Sequence, residues 1–410
     1  MLNFFPRWQY TTIKRAANER RVLFLAGPRQ CGKTTLVKHL NMPNSEYRTL
    51  DNEALREAAK ADPHGFVDHK KSMLIIDEVQ RVHSLLTAVK LVVDDNRKPG
   101  QFLLTGSVNI QSLPSVNESL AGRISKVRLR PLTEGEISGG EPKFLNKAFE
   151  QDFASYSVRG YGRDDVFNAA FRGGFPEVIK LGSRERRRWH NDYMDALLER
   201  DLKDIANIRR KDAMAELVKV LASWSSKFMD ISSIQSKLSI QRQTLETYIN
   251  ALETLFIVER VRPWTKTDYQ RVGKHSKNYF TDSGLMASVL KWRADDVRLN
   301  ADRIGKLFET FIFAELSSLV DMSDGEYALF QYRDREKREI DFIIERDDGA
   351  LLGIEVKASS SFQNSDFKHL KWFRDNLAGD RPFVGIVLYA GVFPASLGEN
   401  IHAIPYGYLW

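Results

Sequence analysis

The stretch Gly27-Pro28-Arg29-Gln30-Cys31-Gly32-Lys33-Thr34 constrains this chain more than any other, because it fits G-x-x-x-x-G-K-[ST] in a setting where that pattern has physical meaning. The apolar run Val22–Ala26 reads as a buried strand ahead of it, and residues 34–40 read as a helix behind it. Glycines let such a loop turn its backbone N–H groups inward, and the start of the helix adds partial positive charge. Lys33 is placed to reach the β- and γ-phosphates of a nucleoside triphosphate, and the Thr34 hydroxyl to ligate Mg²⁺. The nucleotide-contacting set is Gly27, Pro28, Arg29, Gln30, Cys31, Gly32, Lys33, Thr34 and Thr35, with ATP as the expected nucleotide. Cys31 is expected to be a small residue that fits the loop, the alternative being a reactive thiol open to oxidation or alkylation.

A matching second half follows in Met73-Leu74-Ile75-Ile76-Asp77-Glu78. An apolar strand there would deliver Asp77 to the magnesium shell, and Glu78 would polarise the attacking water. Residues 102–104 predict a further strand that ends at Thr105-Gly106-Ser107. With residues 47–50 and 127–129, these apolar runs alternate with amphipathic stretches, the pattern of a parallel sheet with helical crossovers.

At 410 residues the chain is long enough for two or three domains. Its single cysteine excludes an internal disulfide and a cysteine-based zinc site. The longest apolar run, 383–393, is too short for a membrane helix, and the first ten residues lack the pattern of a secretory signal. A cytoplasmic location without membrane attachment is the expectation. The net charge of +7 favours a polyanionic partner such as DNA.

Beyond the first domain, residues 165–203 read as helical after a turn at Gly173-Gly174-Phe175-Pro176, and Arg184, Arg186, Arg187 and Arg188 read as a solvated face. Helical patterns at 213–224, 231–238 and 241–255, then an extended piece at 256–264, give the order of a winged helix-turn-helix. Arg242, Gln243 and Thr247 would face outward from its longer helix. Arg260, Arg262, Lys266, Arg271, Lys274 and Lys277 follow, against Glu259 and Asp268. A three-helix module used only for packing is the alternative.

The last region predicts a helix at 305–319, strands at 339–344 and 351–356, a helix at 367–376 and a strand at 383–388. Alternation puts Glu339 and Asp341 on one strand face and Glu355 and Lys357 on one face of the next. Adjacent strands would then gather Asp341, Glu355 and Lys357 as a D…E-x-K group, with Glu309 as a fourth member. Asp341 and Glu355 could hold Mg²⁺ or Mn²⁺, and Lys357 could stabilise developing charge. Arg333, Arg335, Lys337 and Arg338, just upstream, could contact a phosphate backbone. Alternating charges on an exposed strand face are the simpler explanation.

The segments GPRQCGKTT, LIIDEVQ, LLTGSVN, SLAGRI, PLTEGE and GGFPE, and then YFTDSGL, GKLFETFIFAEL, YRDREKREIDFII and IEVKAS, resemble prokaryotic AAA+ ATPases whose C-terminal domain has long been of unknown function. The resemblance covers nearly the whole chain. It implies an AAA+ P-loop ATPase core and a PD-(D/E)XK nuclease-like domain; with the helical patterns between them, the expected α/β organisation is an ATPase core at 1–140, a helical lid or linker at 141–205, a winged-helix-like domain at 206–299 and a nuclease-like domain at 300–410. It also implies an arginine finger at Arg123 acting on a neighbouring subunit, hence a homo-oligomer, the alternative being a surface arginine that pairs with an acid. Ser107, or secondarily Thr105, would face the γ-phosphate, although asparagine is usual at that place. The implied function is an ATP-hydrolysing DNA-processing protein with a Mg²⁺-dependent nuclease-like domain, acting on branched or Holliday-junction DNA. The alternative is an ATP-controlled switch whose last domain only docks DNA or a protein. A metabolic kinase is disfavoured, since no small-substrate lid is evident and Glu78 suits water activation.

Overall fold

Apolar runs bounded by polar turns build the first sheet, from Val22–Ala26 (β1), Ser45–Thr49 (β2), Met73–Asp77 (β3), Phe102–Gly106 (β4) and Ile124–Arg128 (β5). In the computed structural model, which describes residues 4–108, 120, 122–153, 161–202, 210–266, 275–323 and 325–410, these pair in the order β2-β3-β4-β1-β5. Every ladder is parallel. The interior strands β3 and β4 are buried along their whole length, whereas the edge strand β2, Ser-Glu-Tyr-Arg-Thr, is half-buried throughout. That difference is why the interior strands read as continuous hydrophobic runs and β2 only as a weak one.

Successive side chains point to opposite faces, so each strand feeds two cores. Val22, Phe24, Leu74, Ile76, Phe102 and Leu104 pack with Leu85, Leu86, Val89 and Val93 of the helix Ser84–Asp95. On the other face Leu23, Leu25, Ile75 and Leu103 pack with Ile13 and Ala16 of the helix Gln9–Glu19 and with Leu36 and Val37 of the helix Lys33–His39. Because the strands are parallel, their C-terminal ends share one edge. This edge carries the P-loop, Asp77-Glu78 and Ser107.

The chain groups into two compact units, 1–132 with 250–256, and 133–249 with 257–410. In the second unit the helices Lys211–Ser223 and Ile231–Leu238, with residues 242–249 of the helix Arg242–Thr254, accompany a small antiparallel sheet. Its strands Lys227–Phe228 (β6), Val258–Val261 (β7) and Lys277–Phe280 (β8) run in the order β6-β8-β7. Arg242, Gln243 and Thr247 are exposed on the last of these helices. Lys203, Asp268, Arg271 and Lys274 lie outside the described residues.

A six-stranded mixed sheet completes this unit: Tyr327–Arg333 (β9), Glu339–Arg346 (β10), Leu351–Lys357 (β11), Phe383–Tyr389 (β12), Ala395–Ser396 (β13) and Ile401–Pro405 (β14). Their order is β13-β14-β12-β11-β10-β9, antiparallel from β9 to β11 and parallel from β11 through β12 to β14. The helix Ala301–Met322 packs on this sheet. No helix among the described residues is long and apolar enough to cross a membrane.

Several distinctive segments of the sequence serve this architecture. The buried Asp282 caps the helix Ser283–Val289 by accepting from the Leu285 N–H at 2.7 Å, and it also accepts from the Gly174 N–H at 2.7 Å. Gly284 must lack a side chain, because a Cβ there would lie 2.4 Å from the Arg172 carbonyl oxygen. Thr133 and Glu136 form a capping box, and the Glu134 N–H donates to Glu315 at 2.9 Å. Trp410 Nε1 donates to the other Glu315 oxygen at 2.6 Å.

Candidate functional site

The P-loop conformation depends on two glycines. A Cβ on Gly27 would sit 2.1 Å from the Leu129 carbonyl oxygen, so β5 can only approach a glycine here. Gly32, at φ 100°, occupies a region that side chains rarely adopt, directly ahead of the helix Lys33–His39. Cys31 is buried against the Leu129 carbonyl oxygen. The loop is braced further by Arg7, which donates to the carbonyls of Cys31 at 2.8 Å and Arg130 at 2.6 Å.

Lys33 is almost fully buried, and its Nζ donates to the carbonyls of Gly27 at 2.9 Å and Pro28 at 2.8 Å. The ammonium is thereby folded over the loop that would wrap a phosphate. Thr34 Oγ1 donates to Asp77 Oδ2 at 2.9 Å, which unites the hydroxyl and carboxylate expected on magnesium. Thr35, next on the helix, is exposed. These hard oxygen donors fit Mg²⁺.

Asp77 is held from three sides. Tyr47 donates to its Oδ2 at 2.6 Å, and Thr105 donates to Oδ1 while accepting from the Glu78 N–H at 3.0 Å. Burial and Asp77 itself push the Tyr47 phenol well above its ordinary pKa, so it remains a donor. Glu78 has a left-handed backbone, φ 61°, which is unusual for a residue with a side chain and turns it sharply out of β3. Ser107 Oγ donates to Glu78 Oε2 at 3.1 Å, and Gln80 Nε2 donates both to that carboxylate and to Ser107 Oγ at 2.9 Å. Glu78, Gln80 and Ser107 form a closed polar triangle beside the phosphate loop.

Sequence reasoning placed Ser107 here but missed Tyr47 and Gln80. Gln80 had a local signal, since it follows the acids by two residues. Tyr47 had none, because only the pairing Tyr47↔Ile75 aligns β2 with β3 and brings it to Asp77.

Arg123 lies at the other end of the sheet. Its carbonyl accepts from the Val22 N–H at the start of β1, whereas the P-loop follows the end of β1, and its guanidinium pairs with Asp94. It is therefore remote from the nucleotide loop of its own chain.

The second site assembles as the alternation implies, with one addition. The register Phe342↔Ile354 sets Asp341 opposite Glu355, and Lys357 Nζ lies 3.5 Å from Glu355 Oε2. Glu309 joins them from the helix Ala301–Met322. The addition is Lys277 of β8, whose Nζ lies 2.7 Å from Glu309, 2.8 Å from Glu339 and 3.0 Å from Asp341. Asp341 Oδ2 accepts from the Val356 N–H at 3.0 Å, and Tyr279 donates to Glu309 at 2.6 Å. Burial, with Asp341 beside it, pushes Glu309 up to about 7 and raises Glu355 well above the carboxylate range. The oxygens that a divalent ion would need already accept from an ammonium. As placed, these residues do not fit a metal, and among the described residues no group of three His, Cys, Asp or Glu side chains is disposed to hold one. Of the basic residues upstream, Arg338 pairs with Asp334 and packs over Trp372, Arg333 packs over Phe228, and Arg335 and Lys337 are exposed.

Residues 19–138 match the profile of an AAA domain. Residues 163–296 and 304–409 each match a domain of unknown function, DUF8612 and DUF4143. Two curated relatives, the uncharacterized proteins Rv2008c of Mycobacterium tuberculosis and Mb2031c of Mycobacterium bovis, are each 27% identical over 354 residues, 85% of this chain and 73% of theirs. Among solved structures, the Walker-type ATPase PABY2304 of Pyrococcus abyssi is similar over 70% of this chain and 96% of its own, at 13% identity and a TM-score of 0.41. AMPPCP-bound DnaA from Aquifex aeolicus is similar over 60% of this chain and 85% of its own, at 14% identity and 0.28. The AAA match and the P-loop geometry together define the N-terminal part as an AAA+ P-loop ATPase domain, followed by a C-terminal domain built on a mixed sheet.

Proposed function

We propose that this protein hydrolyses ATP with Mg²⁺ in its first unit and uses the cycle to control binding of DNA by its second. The observation that carries the ATPase reading is the convergence of Thr34, Asp77 and the Glu78–Gln80–Ser107 triangle on the edge that bears the P-loop. The loop N–H groups and Lys33 bind the β- and γ-phosphates, with Lys33 exchanging its contacts to Gly27 and Pro28 for phosphate oxygens. Thr34 and Asp77 would hold Mg²⁺, which when bound neutralises charge on the phosphates. Glu78 accepts a proton from water as the water oxygen attacks the γ-phosphorus and ADP departs with the bridging oxygen. Ser107 and Gln80 orient the Glu78 carboxylate, and Thr105 and Tyr47 orient Asp77. A role for Arg123 at a nucleotide requires a second copy of the chain.

What supports DNA as partner is the order helix, β6, helix, helix, β7, β8, the order of a winged helix, with Arg242, Gln243 and Thr247 exposed on its last helix. The net charge of +7 acts in the same direction. ATPase assays with linear, forked and four-way DNA test both halves. Stimulation by DNA that is lost in Arg242→Ala supports the coupling, and selective stimulation by four-way DNA would extend it to Holliday junctions. A rate indifferent to every DNA would leave the ATPase and remove the DNA partner.

Lys277 favours a second reading for the C-terminal domain. With an ammonium among Glu309, Glu339 and Asp341, this domain docks a partner and does not cut DNA.

A further inference from the structure

A buried ammonium is stable only when its hydrogens meet acceptors and its charge meets opposite charge. Lys277 meets both conditions completely. Its side chain is 2% exposed, and its three N–H donors are matched by three carboxylates, from Glu309 on a helix and from Glu339 and Asp341 on β10. Burial opposes its charge, but Glu309, Tyr279, Asp341 and Glu339 hold its pKa well above the ordinary lysine value. Glu355 is balanced separately by Lys357, which also lies 3.8 Å from Asp366.

Access does not account for this arrangement. Lys277, Glu309 and Glu339 line a cavity of about 740 Å³ that opens to solvent and is walled by Trp224, Phe228 and Arg333. A hydrated divalent ion could reach Glu309 and Glu339; what it would meet there is a cation already in place.

We infer that Lys277 is the resident cation of Glu309, Glu339 and Asp341, engaging the Asp341 oxygen that a divalent metal would need and making the D…E-x-K group a metal-free tie. The tie fastens β8 to β10 and to the helix Ala301–Met322, and it closes the cluster to metal-dependent phosphodiester cleavage. The inference deepens the docking reading of the C-terminal domain and is independent of the ATPase.

The test is a Mn²⁺ titration followed by electron paramagnetic resonance on the nucleotide-free full chain, for wild type, Asp341→Asn, Lys277→Met and Lys277→Met with Asp341→Asn. Wild type is expected to bind no Mn²⁺ that Asp341→Asn removes. Lys277→Met is expected to gain a site tighter than about 1 mM, with a melting temperature that rises on adding Mn²⁺, and the second substitution is expected to abolish both gains. A wild-type Mn²⁺ site lost in Asp341→Asn overturns the inference, as does Mn²⁺-dependent plasmid cleavage lost in the same variant. A folded Lys277→Met protein without a new site also overturns it. If Lys277→Met does not fold, the comparison of wild type with Asp341→Asn decides alone. Unchanged ATP hydrolysis in Asp341→Asn separates this result from the fate of the ATPase reading.

Discussion

Gln80 donates to both Glu78 and Ser107, so it fixes the carboxylate proposed to activate water while its own contacts lie outside the P-loop. Gln80→Ala should therefore lower kcat by about tenfold or more while leaving KM for ATP nearly unchanged, with partial recovery in Gln80→Asn. A change confined to KM would show that Gln80 acts on binding. His190 is buried in the second unit. Burial, with Arg186 nearby, pulls its pKa down to about 3, and its Nδ1 lies 2.8 Å from Ser288 Oγ. Unfolded, the imidazole takes a proton near pH 6.5; folded, it does not until about pH 3. Between these values the unfolded state binds more protons, so this contribution is complete above about pH 6.5 and falls by about 1.4 kcal/mol per pH unit on acidification. His190→Gln should flatten the slope of stability against pH by about one proton between pH 4 and 6, measured by urea unfolding. An unchanged slope would contradict a buried neutral His190.

Elements that follow from one local pattern were legible, and those that depend on distant partners were not. Parallel strands β1, β3 and β4 announce themselves as apolar runs because both faces are buried. The edge strand β9, Tyr-Ala-Leu-Phe-Gln-Tyr-Arg, was missed because its polar and aromatic residues follow neither period cleanly. β14 was missed as well, since it ends in proline. Asp341, Glu355 and Lys357 could be placed on one surface because a strand period of two is readable along each of the short adjacent strands β10 and β11. Lys277 could not, since its three acids lie more than thirty positions downstream and nothing in Lys-Asn-Tyr-Phe distinguishes a buried ammonium from an exposed one. The segments around Gly174 and Asp282 were recognisable without a reason; the structure supplies one in the cap they share. Asp282→Ala strands the Gly174 and Leu285 N–H groups in a buried setting and should destabilise the chain by about 2–4 kcal/mol in urea unfolding. A loss below about 0.5 kcal/mol would show that the cap is not needed.

Across the whole molecule, the first unit carries groups that can bind and split a nucleoside triphosphate, and the second carries an acidic cluster neutralised from within. On the proposed reading, ATP cleavage belongs to the first unit and partner recognition to the second. If the exposed helix residues contact DNA, Arg242→Ala should weaken fluorescence-anisotropy binding at every DNA sequence and lower the salt slope by about one. Unchanged affinity and slope would place the partner elsewhere. Whether Glu78 activates water at the P-loop is decided by phosphate release measured at saturating ATP and Mg²⁺. Steady hydrolysis by wild type is expected, with a fall of about 10²–10⁴-fold in Glu78→Gln and ATP binding retained in both. Equal rates for the two proteins would contradict water activation by Glu78.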